Sequence, residues 1–362
     1  MQCHTSRPQA LAPNRFADPP FLEGGVSCER CHGPGQTHVL RMSAKQRTGP
    51  RGILNPAKLD AARRDSVCAQ CHLTGAARIA RAGHPRYRVG DLLSDSVAVF
   101  VWEGATGGAA DATSHYEKLE QSKCKQASGV KLWCATCHDP HATVPIAKRA
   151  EHYRQACLSC HATKPCTGDG GAGCASCHMP NRQTRSVDHP AYTDHSIARR
   201  PGATAAAPDE RRLTDFWKGS LRERDLALGY AVVAPTEPTV RPRALALLEK
   251  SAAALPNDVA ILVQLAQFYD RLGREEPAMA LCERILALDP AQTGTAVNLG
   301  IYRMKRSPGL TGARMNLAVA HYRAGNLAVA EANLRKALDY EPDLESARTM
   351  LAQLLAQLRA AK

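Results

Sequence analysis

Aromatic side chains are scarce: Phe, Tyr and Trp together make up 5% of the 362 residues. Base-stacking platforms need more of them, and the N-terminal half has no compact Lys/Arg run, so nucleic acid is not an expected partner despite a formal net charge of +13. Long apolar runs are also missing. Stretches such as residues 96–102 fall far short of the roughly 18–20 residues that cross a bilayer, so no membrane span is expected. Beyond residue 200, Cys and His almost vanish, with only Cys282 out of 14 Cys and His321 out of 14 His. Any chemistry of thiols and imidazoles is therefore N-terminal.

With 44% hydrophobic residues, the chain is long enough for two or three domains with a real core. Lys and Arg number 26 in residues 1–200 and 21 beyond, against 16 and 18 acids, which divides the charge into +10 and +3. The two halves are different objects.

Five times the N-terminal half repeats Cys-x-x-Cys-His: Cys28, Cys31, His32; Cys68, Cys71, His72; Cys134, Cys137, His138; Cys157, Cys160, His161; Cys174, Cys177, His178. This is the attachment signature of a c-type haem. Two thiols add to the two vinyl groups of one porphyrin, which sets their spacing, and the next His reaches the iron as proximal ligand. Zinc sites also use Cys-x-x-Cys, but zinc does not require a His directly after the second Cys. A disulfide framework would leave the five His unexplained. Cys3 and His4 form the tail of the same motif, so the natural chain is expected to extend upstream of Met1 with the missing Cys and a signal peptide. The expected cofactor is haem c, at five intact sites and a sixth partial one at Cys3 and His4.

Six proximal ligands, His4, His32, His72, His138, His161 and His178, leave seven His before residue 200. That supply suffices for bis-His coordination, which fills both axial sites and favours electron transfer over substrate binding. His38 and His141 follow tight turns just after attachment motifs, and His115, His189 and His195 lie in polar stretches with no other evident role. These five are the distal candidates; His84 and His152 read as surface residues. Cys124 and Cys166 are left over, either as a disulfide or as free thiols. The run at 96–102 is the strand-like segment of this half, expected as an edge strand or hairpin.

Residues 199–220 read as a linker by composition, and residues 221–362 become Ala/Leu-rich with helical periodicity. In 259–292, Leu262, Leu265, Ala266, Tyr269, Gly273, Ala278 and Pro290 fit a 34-residue tetratricopeptide pattern, and in 311–344 Leu317, Ala318, Gly325, Ala330, Ala337 and Pro342 occupy the same frame. Residues 225–256 fit loosely. Pro290 and Pro342 are 52 residues apart, 34 plus 18, so one helix of a pair is missing between the good repeats, and that segment is expected to be the solenoid's weakest part. Residues 345–362 read as a capping helix. The fold class is thus mainly α: a multihaem domain of short helices and loops over 1–198, truncated at its start, then an α-solenoid over 221–362 with one incomplete repeat.

The segments running from Glu23 through Cys28 and Cys31 to His38, from Leu132 to His141, from Cys157 to His161, from Cys174 to Pro180 and from Tyr192 to His195 resemble bacterial multihaem cytochrome c proteins with C-terminal tetratricopeptide repeats. Their haem domains are similar to tetrahaem electron carriers and hydroxylamine-oxidoreductase-like cytochromes. The resemblance implies closely stacked porphyrins, and favours His38, His115, His141 and His195 as distal ligands ahead of His189. It also implies haem attachment after export, hence a periplasmic or otherwise extracytoplasmic location. The expected function is electron transfer between redox partner proteins, with the repeats as a docking surface. The alternative is a multihaem oxidoreductase acting on a small nitrogen or sulfur compound at one open-coordinate haem.

Overall fold

Short Cys-bearing segments in the N-terminal part and long Ala/Leu-rich ones in the C-terminal part give two kinds of helical structure. The computed structural model describes residues 3–12, 15–46, 48–82, 86–103, 114–162, 173–183, 191–199, 211–219, 221–306 and 311–360. It is mainly helical, and the chain divides into two units, Met1–Leu221 and Arg222–Lys362. His84, Cys166 and His189 lie outside the described residues.

The first unit carries eight helices among the described residues: α1 (Glu29–His32), α2 (Gln36–Ser43), α3 (Ala61–His72), α4 (Leu93–Ser96), α5 (His115–Gln121), α6 (Lys123–Ser128), α7 (Ile146–His161) and α8 (Cys174–His178). Its strands form three small antiparallel sheets. β1 (Pro8–Ala12) pairs with β2 (Arg15–Phe21). β3 (Ala77–Ala80), β4 (Val97–Trp102) and β7 (Leu213–Asp215) form a second sheet in the order β3-β4-β7, and β5 (Asn181–Gln183) pairs with β6 (Ala191–Thr193).

Two expectations are corrected here. The strand-like run is neither an edge nor half of a simple hairpin; it is the central strand β4, hydrogen-bonded on both sides. The reason is that Ala98, Val99 and Phe100 are consecutive buried residues, a run without alternation that suits a strand covered on both faces. Residues 213–217, assigned to the linker, are folded into the first unit. Leu213 is buried in β7, and Phe216 and Trp217 pack on Ala69, Leu73, Leu93 and Val99. Three large apolar side chains in five residues outweigh the linker-like composition before them.

α3 is the spine of this core. Asp60 accepts from the Arg63 backbone N–H at 3.0 Å and caps the helix. Ala69, between the two cysteines of the second motif, and Leu73, just past its His, point into the apolar cluster. Gly75 then turns the chain under β4 at φ +62°, where a Cβ would lie 2.4 Å from the Phe100 carbonyl oxygen. Only glycine fits there.

The second unit is a run of antiparallel helices: α9 (Glu223–Val233), α10 (Arg241–Ala254), α11 (Val259–Arg271), α12 (Glu275–Leu288), α13 (Thr293–Arg306), α14 (Thr311–Arg323), α15 (Leu327–Tyr340) and α16 (Glu345–Ala360). Asp258 caps α11 and binds Arg224 of α9 at 2.6 Å, tying the first helix to the third. Between the two good repeats lies the single helix α13. Leu299 and Tyr302 of α13 join the cluster of Leu262, Ala278, Cys282 and Ile285, whereas Ala318, Ala330, Leu334, Ala337 and Leu354 form a separate cluster. α13 meets α14 closely at Gly300, where a Cβ would be 3.2 Å from Leu317.

Candidate functional site

The repeated motif has a consistent local structure. Four of the five intact copies end a helix with the His as its last residue: His32 in α1, His72 in α3, His161 in α7 and His178 in α8. The fifth, Cys134 to His138, makes a single turn in which the His138 N–H donates to the Cys134 carbonyl at 3.0 Å. On such a turn, residues i, i+3 and i+4 share one face. Both thiols and the imidazole of each motif therefore present together, the arrangement that one macrocycle with two vinyl groups and a central iron requires.

Several imidazoles are held by their Nδ1 atoms. His32 Nδ1 is 2.7 Å from the Leu54 carbonyl, His38 Nδ1 2.9 Å from Arg51, His178 Nδ1 2.7 Å from Ala198 and His195 Nδ1 2.8 Å from Thr193. A carbonyl can only accept, so these bonds place the proton on Nδ1 and leave the Nε2 lone pair free, the form that metal-ligating His adopts. Burial holds the His195 imidazole below its ordinary pKa, offset in part by the bond to Thr193.

Rings of proximal and distal candidates meet in pairs. His32 faces His141 with ring centres 5.9 Å apart, His72 meets His115 at 5.4 Å, and His138 faces His195 at 6.1 Å. Imidazole–metal bonds of about 2 Å put the ring centres of two axial ligands roughly 6 Å apart. His115 also touches His195, at 4.7 Å. His38 lies on α2 and His4 next to Cys3 near the chain start, and both belong to the same unit. His161 and His178 end their helices without a stacked imidazole among the described residues. His152 is exposed, as expected, and lies 3.3 Å from the Cys137 carbonyl, while the neighbouring Tyr153 hydroxyl is 3.4 Å from His138 Nδ1.

The thiols converge across motifs. Cys3 accepts a hydrogen bond from Cys71, which lowers its pKa to about 6 against the opposing effect of burial, with Arg78 and Arg30 assisting. Cys68 is hydrogen-bonded to Cys134, which raises the Cys68 thiol and lowers its partner. Cys124 is a free, half-buried thiol.

The residues fit a haem in a further respect. α7 is 16 residues long and buries none of them, and Ile146, Val39, Leu40 and Val130 are 80%, 60%, 63% and 64% exposed. Apolar side chains left uncovered around the motifs provide the surface that porphyrin faces would cover. Among the described residues no group of three or more His, Cys, Asp or Glu could hold a metal ion. A haem iron takes two protein ligands and needs no such group.

Arg64, Asp65, Lys125 and Tyr153 were not among the sequence candidates. The available signal was that Arg64 and Asp65 lie four and three residues before Cys68, on the same side of a helix.

Tetratricopeptide-repeat family models match residues 242–297 and 311–344. The C-terminal unit is built of tetratricopeptide repeats. The second match coincides with the 34-residue frame read from the sequence, and the repeat at 259–292 falls inside the first. Solved structures similar to this chain include MamA from Desulfovibrio magneticus RS-1, 17% identical over 38% of this chain and 87% of that one, with a TM-score of 0.23. MamA of strain AMB-1 is 22% identical over 38% and 88%, at a TM-score of 0.21. The first TPR of Spaghetti (RPAP3), bound to the HSP90 peptide SRMEEVD, is 18% identical over 37% and 93%, at 0.16. At these scores the overlays add nothing to the tetratricopeptide assignment. No curated protein matches the chain. Among the described residues, no helix is long and apolar enough to cross a membrane.

Proposed function

We propose that the N-terminal unit is a multihaem cytochrome c that transfers electrons outside the cytoplasm, and that the tetratricopeptide repeats dock its redox partner proteins. The observation that carries this reading is the meeting of three motif imidazoles, His32, His72 and His138, with three others, His141, His115 and His195, at 5.4–6.1 Å. Bound haem c would supply a one-electron iron couple at each site.

The chain's own part is to bind, orient and shield. Cys28 and Cys31, Cys68 and Cys71, Cys134 and Cys137, Cys157 and Cys160, and Cys174 and Cys177 would form the thioethers, with Cys3 contributing to a sixth site. The carbonyls of Leu54, Ala198 and Thr193 fix His32, His178 and His195 in the tautomer that ligates through Nε2. Two imidazoles on one iron leave no position for a substrate. Excess Lys and Arg in this half would offset the propionates, which accounts for part of the +10 without an anionic partner.

Intact-mass measurement of the chain, exported in a host that matures c-type cytochromes, tests the reading. Five or six covalent haems per chain are expected from the motifs; a chain that leaves the compartment with none overturns it.

A further inference from the structure

The first unit buries charge that haem ligation does not use. Asp65 and Lys125 are 5% and 7% exposed. Lys125 Nζ is 3.3 Å from Asp65 Oδ2 and 3.4 Å from Glu120 Oε1, and it donates to the Leu132 carbonyl at 2.8 Å. Arg64 Nε is 3.0 Å from Asp65 Oδ1, its Nη2 donates to the Val130 carbonyl at 3.1 Å, and its guanidinium sits 4.6 Å over the Trp133 ring. Tyr116 Oη donates to Asp65 at 3.5 Å. Arms of this cluster leave α3 just before Cys68 and reach residues 130, 132 and 133, just before Cys134.

Buried ion pairs are a poor source of stability, because desolvation offsets much of their attraction; their best-attested use is to fix register. The register fixed here is that of the second motif against the third, 66 residues apart by their His. The two segments are joined at both ends of the site. Away from the ion cluster, the imidazoles run in contact from His72 through His115 and His195 to His138, at 5.4, 4.7 and 6.1 Å.

We infer that Arg64, Asp65 and Lys125 are positioning residues that lock the second attachment segment against the third, so that the two groups these segments carry act as one directly coupled pair. The inference rests on the haem reading above. In the loaded chain the His115–His195 contact would lie between the two groups these segments hold and would shorten the path for one-electron exchange between them.

The test uses the full-length, haem-loaded protein in five forms: wild type, Lys125→Met, Arg64→Met, Lys125→Arg and Arg63→Met. Arg63 is the control, since its exposed pair with Asp60 stays within the first turn of α3 and does not reach the third motif. Haem per chain is measured first, then paramagnetic resonance of the oxidised protein, in which two irons in contact give a broad spin-coupled signal and separated irons give sharp low-spin ones. At full haem content, Lys125→Met and Arg64→Met are expected to convert the coupled signal into two uncoupled ones, while wild type, Lys125→Arg and Arg63→Met keep it. If Lys125→Met loses haem, Arg64→Met decides, because it leaves the Asp65–Lys125 pair in place. A coupled signal unchanged in the fully loaded variants, or absent from fully loaded wild type, overturns the inference alone. A wild-type chain with no covalent haem overturns the haem reading and this inference with it.

Discussion

Gly75 carries one of the sharpest requirements in the chain. Its positive φ and the 2.4 Å approach of any added Cβ to the Phe100 carbonyl mean that Gly75→Ala must shift β4, the central strand. A loss of about 2 kcal/mol or more is expected from strain of this kind, read as a lower denaturant midpoint with an unchanged slope. His195 sets a pH dependence. Its folded-state pKa lies below its unfolded value, so as pH falls through about 6.5 the unfolded chain takes up the proton first and stability declines until the folded pKa is reached. Before haem is attached, thermal melts at pH 7.5 and 5.5 are expected to show this drop, to which His72 and His138, lowered by burial as well, also contribute, so that His195→Gln reduces it without abolishing it. The motif residues were legible one by one because Cys-x-x-Cys-His is local. The pairing of His115 with His72 was not, since 43 residues separate them and only the folded α3 and α5 bring them together.

At the scale of elements, α13 replaces a helix pair with a single helix. The sequence expectation made this segment the weak part of the solenoid, yet α13 is docked on the preceding repeat. Tyr302 donates to Asp270, Arg303 pairs with Glu283 at 2.9 Å, and Lys305 and Arg306 pair with Glu275 and Glu276. On its other side α13 also meets α14 closely, Gly300 against Leu317, so it bridges the apolar cluster of α11–α13 and that of α14–α16. Hydrogen exchange is expected to show 294–306 protected to the same degree as 259–288. Faster exchange of 294–306 than of both neighbours would restore the original expectation. The repeat frame itself was legible because its Leu, Ala, Gly and Pro positions recur at 34 residues. β7 was not, because three residues carry too little periodicity to stand out from a Pro/Ala/Arg-rich stretch.

The whole molecule joins a unit rich in Cys and His to a repeat unit nearly devoid of both. If the repeats serve only for docking, removing residues 222–362 is expected to leave the spectrum and haem content of the first unit intact and to abolish capture of its redox partner. In the proposed function both axial positions of the irons would be filled by imidazole, so that the chain would carry electrons and not transform a substrate. Paramagnetic resonance and visible spectroscopy of the full-length protein, with haem counted per chain, test this most directly. Low-spin signals are expected for every haem. A persistent high-spin signal that shifts on adding hydroxylamine, nitrite or cyanide would contradict it and place an open iron, and with it an enzyme, in this chain.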